Sequence, residues 1–227
     1  MKKLSLLLIV LTLSACSVPV DAPPPPTALP SDAPLPTLIP AETFTPIPAL
    51  TETPVPAQPT QPPAFCDDPG PREVLQSLQT AVQTKDGKLL ASLVSPTEGM
   101  DVIFIRNGNV INYDVEHAKF VFETTFQADW GLGAGSGEPV IGSFQEIILP
   151  SLQAVFTPEA VVTCNGLKTG GVTYIPEWIS PSLPYYSVYF PGTDQYGGLD
   201  WETWAAGMSQ EGGKYFLTAL VHYEWEP

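Results

Sequence analysis

Residues 214–225 read KYFLTALVHYEW, twelve residues without Gly or Pro and dense in aromatic and branched side chains. Such a run is a β-strand rather than a loop. Successive side chains of a strand point to opposite faces of its sheet. Tyr215, Leu217, Ala219, Val221, Tyr223 and Trp225 then form one stripe, and Phe216, Thr218, Leu220, His222 and Glu224 the other. The first stripe is uninterrupted by charge and is expected to face the core. That places His222 on the opposite face, with Thr218 and Glu224. Working backward, Gln210-Glu211-Gly212-Gly213 is a turn, residues 200–209 a second strand and residues 185–190 (YYSVYF) a third.

The preceding half of this region changes its period. Val74, Leu75, Leu78, Ala81 and Val82 recur at helical spacing behind Pro71, which suits a first helical turn. Asp86-Gly87 interrupts the pattern. Residues 88–94 (KLLASLV) resume it, and Ser95-Pro96 ends it. Residues 102–106 (VIFIR) read as a strand, Asn107-Gly108 as a two-residue hairpin turn and residues 109–113 as the returning strand. Asp114 caps a short helix over residues 115–120. Residues 131–137 (GLGAGSG) are a flexible loop, and residues 143–156 a helix kinked at Pro150. Helices early and antiparallel strands late predict an α+β domain, with amino-terminal helices packed on a curved antiparallel sheet.

That domain occupies residues 65–227, because composition changes abruptly before it. All 18 Gly, all five Trp and all eight Tyr lie after residue 69, whereas residues 17–64 carry 16 of the 27 Pro and no Lys, Arg or Gly. Proline fixes φ and removes backbone donors, so neither helix nor sheet propagates through such a segment. Residues 16–64 are therefore expected to be a disordered stalk in polyproline II conformations, reaching at most about 150 Å at ~3.1 Å per residue. Its threonines beside prolines leave open a plain spacer, an O-glycosylated stalk or a strip for an aromatic groove.

The first fifteen residues are an address. Lys2 and Lys3 precede a predominantly apolar run of ten residues, 4–13 (LSLLLIVLTL). About 20 residues are needed to cross a bilayer, so ten fit the core of a signal peptide. The run closes on Leu13-Ser14-Ala15-Cys16, which resembles the lipobox of bacterial lipoproteins. The resemblance implies cleavage after residue 15, acylation of Cys16, and a chain anchored by membrane lipid on the extracytoplasmic face of the cell membrane. The alternative is an ordinary secretory signal with an incidental cysteine. In an oxidising compartment the two remaining cysteines, Cys66 and Cys164, most simply form one disulfide. Two free thiols are the other reading.

A second resemblance rests on Leu93-Val94-Ser95-Pro96 with Gly99, Trp130-Gly131 leading to residues 135–139 (GSGEP), Gly197-Gly198-Leu199-Asp200-Trp201 and Leu217 to Trp225. Together with the opening helical hairpin, these passages are similar to the nuclear transport factor 2-like (cystatin-like) domains of a group of lipoproteins and secreted proteins from Gram-positive-type bacteria. The resemblance implies the α+β fold and the location. It carries no activity.

Charge excludes one class of partner. With 24 acidic and 9 basic residues the net charge is −15, and loss of Lys2 and Lys3 makes it −17. Nucleic acid needs clustered Lys and Arg and is not expected. No Gly-x-Ser-x-Gly elbow, Ser-x-x-Lys pair, P-loop or His-Glu-x-x-His occurs, so no cofactor or metal is expected. What remains is a loose candidate pocket of Trp130, Glu138, Asp200, Trp201 and His222, while His117 reads as a surface residue. One reading has His222 and a carboxylate such as Glu138 bind a polar ligand or move a proton. Another has a buried histidine ordering the sheet. Three roles stay open. The first is a non-catalytic domain that binds a small ligand, a cell-wall component or an envelope protein. The second is a hydrolase or isomerase using His222 with Glu138 or Asp200. The third is a structural accessory domain of an envelope complex.

Overall fold

The structure is a computed structural model, and it describes residues 64–227. The expected signal peptide, Cys16 and the stalk through residue 63 lie outside the described residues. Within them the fold is α+β.

Three aspartates start the amino-terminal helices. The Asp68 carboxylate accepts from the Gly70 amide at 2.8 Å and caps α1 (Pro69–Thr84), whose first residue is the proline that needs no amide partner. The helix stops where Lys85 turns left-handed, with φ at 57°. Asp86 at once caps α2 (Gly87–Leu93) by accepting from the Leu89 amide at 2.9 Å. A side chain on Gly87 would put its Cβ 2.0 Å from the Lys119 carbonyl oxygen, so only glycine lets α2 begin there. Strands β1 (Met100–Ile103) and β2 (Val110–Tyr113) follow, then α3 (Val115–Ala118), capped by Asp114. Next come β3 (Ala128–Leu132), β4 (Pro139–Gly142), a π-helical turn over Phe144–Ile148 and α4 (Leu149–Val155). The chain ends with β5 (Val161–Cys164), β6 (Tyr185–Phe190), β7 (Glu202–Glu211) and β8 (Lys214–Glu224).

Six strands form one sheet in the order β2-β1-β8-β7-β6-β5, antiparallel throughout except for the parallel pair β1–β8. Helices pack on one face, where Leu78, Val82, Leu152, Trp204, Met208 and Leu220 share the buried core. The second face carries Tyr185, Tyr189, Ala205, Val221 and Tyr223 in a smaller cluster with Trp201. Irregular chain between β5 and β6 lies against it: Trp178 stacks on Tyr185, and the Thr203 hydroxyl donates to the Lys168 carbonyl at 2.6 Å. Cys66 is disulfide-bonded to Cys164, tying the segment before α1 to the edge strand β5.

Several expectations need correction. The final strand does not alternate regularly. Gly207 pairs with Ala219 but Met208 with Leu217, so Thr218 is an extra residue and the faces exchange there. Leu217 joins the helix-side core before the bulge, and Leu220 joins it after. Val221 and Tyr223 go to the second face, and His222 faces the helices. Asn107-Gly108 is not a two-residue hairpin turn, because β1 ends at Ile103 and β2 begins at Val110. The glycine-rich stretch is partly a ribbon, with Leu132 of β3 opposite Pro139 of β4. The helix over residues 143–156 changes character along its length: a capping box between Ser143 and Glu146 opens a π turn, and Pro150 sits in the first turn of α4, where it is tolerated. Strand β7 begins at Glu202, leaving Asp200 and Trp201 ahead of it.

Candidate functional site

The most concentrated polar chemistry inside the fold surrounds His222. The residue lies in β8 opposite Trp204 of β7. Its ring stacks on Phe104 with centroids 4.7 Å apart, and Trp204 lies at 4.9 Å. The parallel pairing of β1 with β8 brings Phe104 there. Both ring nitrogens are engaged: Nδ1 is 3.1 Å from the Phe104 carbonyl oxygen, and Nε2 is 3.2 Å from Glu202 Oε2. The same carboxylate oxygen meets the Ser151 hydroxyl from α4, which accepts from Trp204 Nε1 at 2.8 Å.

Counting hydrogens fixes the roles. A carbonyl only accepts, so Nδ1 donates to Phe104. An indole N–H only donates, so the Ser151 hydroxyl spends its own hydrogen on Glu202. Nε2 then faces the same carboxylate oxygen that the Ser151 hydroxyl meets. The histidine side chain is 1% exposed and that of Glu202 27%. This seam joins β1, α4, β7 and β8, but it is not a nucleophile with its base. Ser151 bonds to the carboxylate rather than to the imidazole, and neither ring nitrogen is open to a substrate.

Further acids continue the seam. Glu224 stands opposite Glu202 across the strand pair. Burial pushes its carboxyl above the usual range. His222 opposes that shift, and Glu202 and Glu226 add to it. Glu226 is buried and accepts from Arg106 Nε at 2.7 Å and from Nη2 as well. That hydrogen bond chiefly raises the Arg106 pKa. Among the described residues, no group of three or more His, Cys, Asp or Glu is arranged to hold a metal ion.

The five residues proposed from sequence do not form one pocket. Trp130 is buried in β3, where its indole donates to the Gly142 carbonyl at 3.0 Å and its ring meets Phe104 edge-on at 6.5 Å. It therefore reaches His222 only through Phe104. Glu138 is exposed in the β3–β4 turn. Asp200 is half-buried and holds Thr193, accepting from its amide at 2.7 Å and its hydroxyl at 2.8 Å. The amide bond chiefly lowers its pKa. Trp201 is buried on the second face and donates to the Gly171 carbonyl at 3.0 Å. The partner of His222 is thus Glu202, not Glu138 or Asp200. Its signal was two residues before Trp204 on the same face, but reading it requires the bulge at Thr218.

Open space lies elsewhere. A concavity of about 630 Å³ lies at the α1–α2 junction and shares no residue with the seam. Lys85, Lys88 and Lys119 line it with Asp86 and Glu123, so its charges nearly cancel. A cleft of about 390 Å³ lies on the second face, between residues 174–179 and the ends of β1 and β8. Trp178, Tyr174, Tyr223, Val221, Arg106 and Asn107 line it, and His222 borders it as part of β8 while its ring points to the opposite face.

No protein-family model matches the sequence, and no curated protein sequence is similar to it. Solved structures similar to the chain include one named Rd1NTF2_05, carrying five substitutions. It is 9% identical, with a TM-score of 0.34, over 67% of this chain and 95% of that one. Another is an NTF-2 like protein of unknown function from Silicibacter pomeroyi DSS-3. It is 7% identical, with a TM-score of 0.32, over 68% of this chain and 92% of that one.

Proposed function

We propose that the chain is an extracytoplasmic lipoprotein whose α+β domain binds a ligand or a neighbouring protein without transforming it. In this reading lipid on Cys16 holds the chain to the cell membrane, the proline-rich segment 16–64 is its tether, and residues 65–227 meet a small ligand, a wall component or an envelope protein. The opening helices on an antiparallel-rich sheet support a nuclear transport factor 2-like domain.

The observation that carries the non-catalytic part is the closure of His222. The ring is buried, and each nitrogen is committed to a protein acceptor. General acid–base work requires a nitrogen within reach of a substrate proton. The other histidine, His117, sits on the surface of α3 with its side chain 78% exposed, paired to Asp114 at 2.8 Å. The location rests on the charged start, the ten-residue apolar core and the cysteine that follows it. The test is labelling of cells with tritiated palmitate, combined with protease treatment of intact cells. The expected result is label that vanishes in Cys16→Ser and a domain open to the protease. An unlabelled, protected chain would overturn the reading.

A further inference from the structure

We propose that the 390 Å³ cleft on the second face binds a neutral sugar ring, as one or two linked units of a glycan. The proposal deepens the binding role above and rests on it for where the ligand is met, though not for the chemistry of the cleft.

The size falls in the range of small-ligand sites. Its walls are aromatic and aliphatic, and the rings are already fixed. Trp178 stacks on Tyr185 with centroids 4.3 Å apart and donates from Nε1 to the Leu183 carbonyl at 2.8 Å. The Tyr223 hydroxyl donates to the Glu177 carbonyl at 2.9 Å, and that of Tyr174 to the Glu224 carbonyl at 3.0 Å. Rings held this way need little further ordering when a ligand arrives. Ile175, also lining the cleft, is 84% exposed, an apolar side chain the fold itself does not cover.

Charge then disfavours an anion. Arg106 lies over the Tyr174 ring at 4.3 Å, but Glu226 neutralises it, so an anion gains no net attraction and meets a strongly acidic protein. With Arg106 paired, the Glu177 carboxylate is the charge left at the rim, so the apolar walls rather than charge favour a neutral ligand over a cation, and glucosamine is the control for that choice. The remaining polar groups are the Asn107 amide, the Glu177 carboxylate and Arg106 Nη1. Among the described residues none of them is used in a hydrogen bond. They supply both donors and acceptors on planar groups. Neighbouring hydroxyls of a sugar donate and accept in the same way, and the ring's C–H face suits an aromatic and aliphatic wall.

The test uses the full chain in a sugar-free detergent. Saturation-transfer NMR and calorimetry are run with cellobiose and N,N′-diacetylchitobiose, with glucuronic acid and glucosamine as charged controls. The expected result is transfer to ring protons of at least one neutral disaccharide. Asn107→Gly, which keeps the positive φ of 60° open to that position, and Glu177→Ala should each weaken binding by about three- to tenfold, the loss of one hydrogen bond. Trp178→Leu should abolish it. If that variant fails to fold, the two rim variants still decide. Binding confined to the charged sugars, no transfer from either disaccharide, or binding unchanged in both rim variants would overturn the proposal. Those results leave palmitate labelling and protease access untouched. A failed anchor would leave the sugar titration as measured.

Discussion

Replacing His222 by alanine tests whether the polar seam holds the domain together. The ring fills the space between Phe104 and Trp204, 4.7 and 4.9 Å away, and satisfies two acceptors. Breaking a fully buried ion pair from one side costs about 3–5 kcal/mol. Glu202 is 27% exposed, so its share is screened and nearer 1–2 kcal/mol. The Phe104 carbonyl loses its partner for about 1–3 kcal/mol, and the vacated space adds to that. These contributions overlap, and the expected total is about 3–5 kcal/mol. At roughly 2–4 °C per kcal/mol for a domain of this size, the midpoint falls by about 10–15 °C. Urea unfolding of the full chain, followed by tryptophan fluorescence, measures the change. Glu202→Gln keeps an acceptor and should cost only about 1–2 kcal/mol. The double variant should be less damaging than the sum, with a coupling of about 1–2 kcal/mol. A His222→Ala variant within 0.5 kcal/mol of the parent, or zero coupling, would refute the reasoning.

Reducing the Cys66–Cys164 bond opens a loop with a separation of 98 residues, for which chain entropy gives about 4–5 kcal/mol. The core does not depend on the bond, so the reduced chain should stay folded and melt lower by about 10–15 °C, as calorimetry would show. Gly87→Ala drives a Cβ to 2.0 Å from the Lys119 carbonyl, which no rotamer relieves, and a loss of about 1–3 kcal/mol or more is expected in urea titration. Glu224→Gln should act in the opposite direction. Burial raises this carboxyl, so the folded chain holds a proton that the unfolded chain has released, and stability falls as pH climbs from the unfolded value through the folded one. The variant should lack that fall. It should melt higher than the parent at neutral pH and lose the advantage below the ordinary glutamate range. A parent melting profile identical to the variant's from pH 4 to 8 would contradict this.

The α+β class, the opening helices and the existence of the late strands were legible because each is a local pattern of apolar spacing, caps and turns. Val74, Leu75, Leu78, Ala81 and Val82 are all buried, as their spacing implied. The site was less legible because two non-local events build it. One extra residue at Thr218 reverses the faces of β8, so a period-two reading turns His222 away from the helices that cover it. The parallel pairing of β1 with β8 delivers Phe104, and no local signal announces which strand lies beside which. Ser151 comes from a helix whose start is a π turn. Asp200 and Glu138 drew attention through distinctive neighbours, yet Asp200 shapes its own loop and Glu138 remains on the surface. The second face escaped as well, because residues 165–184 carry no periodicity and hold to the sheet through individual side-chain bonds to backbone carbonyls.

The chain has two histidines, one with a side chain 78% exposed and the other 1% exposed, and they provide their own control. Diethyl pyrocarbonate treatment of the native protein, read by peptide mass spectrometry, compares them directly. The closed seam predicts rapid modification of His117 and none of His222 until the chain is unfolded in urea, when both react. Modification of His222 in the native protein at a rate like that of His117 would show a reachable imidazole and contradict the non-catalytic reading.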